Sequence, residues 1–127
     1  MKLLLDTHIF LWYVTASPSL NADTRDQIRD PDSRVYLSPV SLWEALVKHR
    51  LGKLSLPDQP EIYLSNQRAR HGIETLALDE ASVQRLASLP DHHRDPFDRM
   101  LICQALEHDL TLVTVDALIP LYPVATL

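Results

Sequence analysis

Short apolar runs alternate along the chain with amphipathic stretches. "KLLL" (2–5) is an uninterrupted apolar run ended by Asp6, the pattern of a strand buried on both faces. "THIFLWYV" (7–14) stays apolar and aromatic and predicts a helix packed on that strand. "LNADTRDQIRD" (20–30) predicts an exposed helix capped near Asn21, and "RVYLS" (34–38) a second strand. In "SPVSLWEALVKHRLG" (38–52), Ser38 supplies an N-cap, Pro39 fits the first helical position, and Gly52 lies just past the end. "LSLPDQP" (54–60) is a turn-rich connection, followed by a helix in "EIYLSNQRARHG" (61–72) closed by Gly72.

The second half repeats the scheme. "IETLAL" (73–78) predicts a third strand, and "LDEASVQRLASLP" (78–90) a helix capped by Asp79 with apolar spacing at Val83, Leu86 and Leu89. "DPFDRMLICQALEHD" (95–109) is helical, "LTLVT" (110–114) is a β-rich run followed by Asp116, and "YPVATL" (122–127) holds a final short strand. Strands alternating with helices predict an α/β fold of three layers, a central parallel sheet with helices on both faces.

Composition narrows this picture. The chain has 127 residues, 46% hydrophobic and 23% charged, with two glycines and no repeat, so residues 1–127 are expected to form a single domain. The longest apolar run, "IFLWYV", is six residues, and "MKLLLD" meets an acid too early for a signal peptide; a cytoplasmic protein without a membrane partner is expected. The single cysteine, Cys103, excludes an internal disulfide and a thiolate-rich zinc site, and its setting in "MLICQAL" predicts a buried core residue. The net charge of −5 argues against a broad electrostatic grip on nucleic acid, unless several acids are gathered around metal.

The acids are placed so that they could be. In open parallel sheets the functional crevice lies outside the carboxyl ends of the strands. Asp6 closes the first strand and Asp116 stands two residues past "LTLVT"; Glu44 lies in the second turn of a helix entered from that edge. Asp98 opens the helix before the last strand. In "HHRDPFDRM" (92–100), Asp95 fits an N-cap with Pro96 first, and Asp98 falls where an acid favours the positive end of the helix dipole, so capping alone explains both. With Ser38 as the cap, Glu44 is too far into its helix to cap it; a Ser41–Glu44 capping box stays open but leaves Pro39 unexplained, and an acid between apolar neighbours needs a partner. Clustered carboxylates need a counter-charge, and oxygen-only ligands favour Mg²⁺ or Mn²⁺, which serve phosphodiester hydrolysis by polarising phosphate and activating water.

The segments "LLLDTHIFLW", "LSPVSLWEALVKHRLGKL", "HHRDPFDRMLICQAL" and "LTLVTVD" together resemble the PIN-domain ribonucleases, in particular the VapC-type toxins of bacterial toxin–antitoxin pairs. The resemblance runs nearly end to end. It implies a Mg²⁺-dependent endoribonuclease toxin, with Mn²⁺ able to substitute, whose metal and catalytic residues are Asp6, Glu44, Asp98 and Asp116. It implies hydrogen-bonding support from Thr7, Ser41 and Thr114, with Asp95 chiefly a cap. It further implies an RNA substrate, a homodimer, and a cognate antitoxin that inserts a basic side chain into the acidic site. Cys103 stands where the family often has alanine, and the tail after Asp116 carries little family signal.

The remaining polar residues have plainer readings. Arg94 and Arg99 are candidate RNA contacts or salt-bridge partners of Asp95 and Asp98; His8 reads as a helix-start residue, His92 and His93 as loop surface, and "RARH" (68–71) as a solvated helix end. Trp12 and Trp43 read as core or dimer packing. The competing function is a non-catalytic phosphate-binding or phosphoacceptor module of receiver or haloacid-dehalogenase type, with Asp6 as acceptor. Such modules usually place a second acid beside or two after the first, where this chain has Thr7 and His8. A degenerate copy that only binds its partner is a third reading, opposed by the presence of all four acids.

Overall fold

The computed structural model describes residues 1–127. Four parallel strands, β1 (Lys2–Leu5), β2 (Arg34–Leu37), β3 (Glu74–Thr75) and β4 (Thr111–Val113), form one sheet in the order β3-β2-β1-β4. Leu3 pairs with Val35 on one side and Thr111 on the other, so β1 is an interior strand. The chain builds outward from β1 through β2 to β3, then returns to add β4 on the opposite side. This reversal places the topological switch point between β1 and β4, where ligand crevices open in sheets of this kind.

Because successive side chains of a strand face opposite ways, β1 feeds two cores. Leu3 and Leu5 pack with Ile9 and Phe10 of α1 (Thr7–Val14), Ile28 of α2 (Ala22–Arg29), Ala45 of α3 (Pro39–Arg50) and Leu64 of α4 (Pro60–Arg70). Leu4 faces the other layer, with Leu112 of β4 and Leu101, Ile102 and Ala105 of α6 (Pro96–His108). Cys103 is fully buried there, as its apolar surroundings predict. No helix is long and apolar enough to cross a membrane.

The expected caps form. Ser38 Oγ accepts the Val40 N–H at 3.0 Å with Pro39 opening α3, and Asn21 Oδ1 accepts the Asp23 N–H at 2.7 Å. Gly52 and Gly72 follow α3 and α4 with φ of +74° and +66°, a backbone state that costs glycine little.

Three elements differ from the expectation. The third strand is only Glu74–Thr75, because the chain leaves the sheet edge where the β2 partner ends. The helix capped by Asp79 is α5 (Glu80–Gln84) and tightens into a 3₁₀ turn at Arg85–Ala87; Val83 is exposed and Leu89 packs beyond the helix. The C-terminal segment makes one parallel bridge, Leu112 to Thr126, rather than a full strand, with the Leu112 N–H donating to Ala125 O at 2.8 Å.

Candidate active site

The cleft at the carboxyl ends of β1 and β4 measures about 380 Å³ and has Asp6, Glu44, Asp95, Asp98 and Asp116 in its walls. Pairing carries β1 one residue further at the backbone: the Asp6 N–H donates to Val113 O at 3.0 Å, fixing Asp6 at the sheet edge. The Asp6 side chain caps α1, its Oδ1 accepting the Ile9 N–H at 2.8 Å. Asp116 follows β4, with its N–H donating to Thr114 Oγ1 at 3.0 Å and its Oδ1 accepting the Leu118 N–H at 2.8 Å. The four acids expected to converge, Asp6, Glu44, Asp98 and Asp116, therefore line one cleft.

Within it they form two groups. On one side Glu44, only 3% exposed, has both oxygens engaged: Thr7 Oγ1 donates to Oε1 at 2.7 Å and Lys48 Nζ to Oε2 at 2.6 Å. On the other, His93 Nε2 lies 2.8 Å from Asp116 Oδ2 and 3.1 Å from Asp98 Oδ2. Ligand atoms of His93, Asp98 and Asp116 all lie within 4.8 Å of one another.

The backbone fixes the proton on His93. Its Nδ1 accepts the Asp95 N–H at 3.1 Å, so Nδ1 carries a lone pair and the neutral ring bears its proton on Nε2. Nε2 therefore donates toward the two carboxylates instead of offering a lone pair to metal. The corresponding expectation is corrected: His93 is buried rather than loop surface, because its own N–H donates to the Tyr122 hydroxyl at 2.8 Å and draws the loop inward.

Asp95 does cap α6: its Oδ1 accepts the N–H groups of Phe97 (2.8 Å) and Asp98 (3.1 Å). Of the polar residues expected near the acids, Thr7 bonds Glu44 and the Thr114 hydroxyl lies against Asp6. Ser41 departs from its expected role: its hydroxyl is buried and bonds none of the acids.

The arginines separate. Arg94 is exposed on the loop before α6. Arg99 pairs with neither Asp95 nor Asp98; its guanidinium is turned inward, donating to Pro90 O at 2.9 Å and His93 O at 3.3 Å and pairing with Asp91 at 3.3 Å. Arg68 likewise turns inward, donating to Ile73 O at 2.9 Å, while Arg70 is exposed. Trp43 is 59% exposed and meets Phe97 edge-on at 4.8 Å, so it is not a core residue. His8 is exposed at the cleft wall beside Trp12.

Charge crowding shows in the acids' proton affinities. Burial, joined by the negative charges of Asp95, Glu44 and Asp6, pushes Asp98 up to about 7 against the pull of His93. Burial also raises Asp6, against hydrogen bonds from Thr114 and the Ile9 N–H. At Asp116 burial pushes the same way, but the hydrogen bonds from His93 and from the Leu118 and Ile119 N–H groups, together with the charge of His93, hold the carboxyl below its usual range. Carboxylate oxygens sharing a cleft at this cost fit a hard divalent cation.

The PIN-domain profile matches residues 3–122. The chain belongs to the PIN-domain family. Over 68 residues it is 35% identical to Ribonuclease VapC16 of Mycobacterium tuberculosis, a match covering 50% of this chain and 48% of that protein. It thus spans about half the length of that curated relative. The fold is similar to VapBC2 from Rickettsia felis bound to a promoter DNA fragment (TM-score 0.74, 16% identity, covering 100% of this chain and 98% of that one). It is also similar to DNA-bound VapBC from Salmonella typhimurium (TM-score 0.68, 20% identity, 100% and 97%) and to FitAcB from Neisseria gonorrhoeae (0.63, 21%, 98% and 95%). These PIN-fold likenesses match the three-layer α/β architecture expected from the sequence. Thr7, where a second acid would help the phosphoacceptor reading, is committed to Glu44.

Proposed function

We propose that residues 1–127 are one PIN domain acting as a Mg²⁺-dependent endoribonuclease, the toxin of a toxin–antitoxin pair. The observation that carries this reading is the convergence of Asp6, Glu44, Asp98 and Asp116 on one cleft at the switch point of the sheet. The ribonuclease name of the Mycobacterium tuberculosis relative supports the activity, and the VapBC and FitAcB names of the structural neighbours support the toxin role.

Asp6, Glu44, Asp98 and Asp116 would hold the ion, Mg²⁺ or Mn²⁺, through carboxylate oxygens. When bound, it supplies charge neutralisation at the phosphate and an activated water for hydrolysis. The chain's own residues pre-set this arrangement. Thr7 and Lys48 lock Glu44, the His93 Nε2–H ties Asp98 to Asp116, and the Thr114 hydroxyl supports Asp6. Such orienting bonds fix ligand direction before substrate arrives. The exposed Arg94, next in sequence to the cleft residues His93 and Asp95, is a candidate contact for RNA phosphate.

The same cleft suits inhibition by an antitoxin that inserts an Arg or Lys side chain among the carboxylates. A homodimer and action in the cytoplasm, where cellular RNA lies, belong to this reading.

Cleavage of labelled RNA by purified protein, with Mg²⁺ or Mn²⁺, with EDTA, and by an identically purified Asp6→Asn variant, tests it. Metal-dependent cutting that disappears in a folded Asp6→Asn protein is expected. Cutting that persists in EDTA or in that variant overturns the assignment.

A further inference from the structure

The acidic cleft does not end at Glu44. A second groove of about 250 Å³ adjoins it and shares His8, Trp12 and Lys48 as a common wall. Across that wall the chemistry reverses: the second groove is lined by Thr7, Thr15, Ser17, Ser55, Lys48 and Lys53 with apolar side chains between them, and by no carboxylate. In a chain of net charge −5, this groove beside the acidic cleft holds two lysines and four hydroxyl-bearing residues without a carboxylate.

Both lysines are held there by the fold. Lys48 Nζ donates to Glu44 Oε2 at 2.6 Å, which uses one of its three N–H groups and leaves the others to the groove. Lys53 follows the αL turn at Gly52, and its N–H donates to Lys48 O at 2.9 Å, which ties its backbone to the end of α3. Its side chain is exposed and takes part in none of the chain's ion pairs.

We propose that this second groove binds the phosphate backbone of the RNA substrate, with Lys48 at the junction and Lys53 further along contacting phosphates on one side of the bond to be cut. The proposal rests on the nuclease reading and deepens it. An acidic cleft repels a polyanion everywhere except at its metal, so an adjoining cationic groove is needed to hold the strand in line. The Ser17 and Ser55 hydroxyls add neutral donors to phosphate and sugar oxygens, whereas those of Thr7 and Thr15 are committed to Glu44 and to Leu11 O.

The test is binding of a fluorescent single-stranded RNA to the cleavage-disabled Asp6→Asn protein in Mg²⁺ across a range of salt. Lys53→Gln is compared with Arg70→Gln, which removes the same charge from an exposed residue outside both grooves. Lys53→Gln is expected to weaken binding roughly fivefold and to lower the slope of log Kd against log salt by about 0.7, while Arg70→Gln changes neither. In otherwise wild-type protein Lys53→Gln should raise KM for RNA and leave kcat unchanged, and Lys48→Arg should retain binding that Lys48→Met loses.

Equal effects of Lys53→Gln and Arg70→Gln reduce the groove to net charge and overturn the proposal. Unchanged RNA affinity together with weakened binding of a protein partner assigns the groove to that partner and also overturns it. Metal-dependent cleavage with Lys53-independent binding rejects the groove alone. Lys53-dependent binding with no cleavage of any RNA keeps the groove and rejects the nuclease reading.

Discussion

His93 Nε2 lies 2.8 Å from Asp116 Oδ2, and the same nitrogen reaches Asp98 Oδ2 at 3.1 Å. With Nδ1 accepting the Asp95 N–H, the ring is a fixed donor that joins two acids from different elements, the start of α6 and the segment after β4. If these acids hold metal, His93 sets their spacing without being a ligand. His93→Ala is expected to weaken Mn²⁺ binding about tenfold or more, the usual effect of removing a ligand-orienting partner, and His93→Gln to restore part of it through its amide N–H. Titration calorimetry reads the affinity, and pulsed EPR of bound Mn²⁺ reads the nitrogen. A directly coordinated imidazole nitrogen in the EPR spectrum would show the tautomer assignment to be wrong.

The proton affinity of Asp98 gives the metal-free protein a signed pH dependence. Its carboxyl rises from 3.8 to about 7 on folding, so the folded state holds this proton more tightly than the unfolded chain. The stabilisation is complete below the ordinary carboxylate value and is lost as pH climbs through about 7. Asp6, also raised, adds in the same direction, whereas the lowered Asp116 acts only in more acid solution. In EDTA the Tm should therefore fall between pH 5 and pH 8, and Asp98→Asn should flatten that fall. An identical slope in Asp98→Asn would remove Asp98 as its source.

Asp95 and Asp98 stand three residues apart and do different work. Asp95 Oδ1 takes two helix N–H groups, and it is the Asp95 backbone, not the side chain, that fixes His93. Asn caps as well as Asp, so Asp95→Asn should keep most RNA cleavage, whereas Asp95→Ala should cost about 1 kcal/mol of stability. Losing the Asp95 charge should also shift the Asp98 titration toward the ordinary carboxylate range, as seen by carbon-13 NMR of the carboxyl. Asp95→Asn as inactive as Asp98→Asn would refute this division.

The parts legible in the sequence are those set by neighbours along the chain. Ser38 and Pro39 mark the start of α3, Asp95 and Pro96 that of α6, and alternating apolar runs mark a parallel sheet; each is a local rule that tertiary packing did not overrule. The acids at strand ends were legible because parallel topology fixes which edge is functional. His93 was not, because its burial depends on Tyr122 and Asp116, more than twenty residues away. Lys48 was within reach: an acid followed four residues later by a lysine is a helix-face pair, and the buried setting of Glu44 made such a partner necessary.

Arg99 shows how an arginine beside an acidic site can serve it indirectly. Its guanidinium donates to Pro90 O and His93 O and contacts Leu89 O and the Tyr122 hydroxyl at 3.4 Å, so the loop that carries His93 is tied to α6 through one side chain. A lysine would keep the charge and lose the planar fork that spans these carbonyls. Arg99→Lys is thus expected to cost about 1–3 kcal/mol of stability by leaving carbonyls unsatisfied. In cleavage it should lower kcat through a displaced His93 and leave KM for RNA nearly unchanged, while Arg94→Gln, which removes an exposed charge beside the cleft residues His93 and Asp95, should raise KM with kcat intact. Denaturant melts with steady-state kinetics of both variants separate the roles, and a raised KM with normal kcat in Arg99→Lys would return Arg99 to the RNA-binding surface.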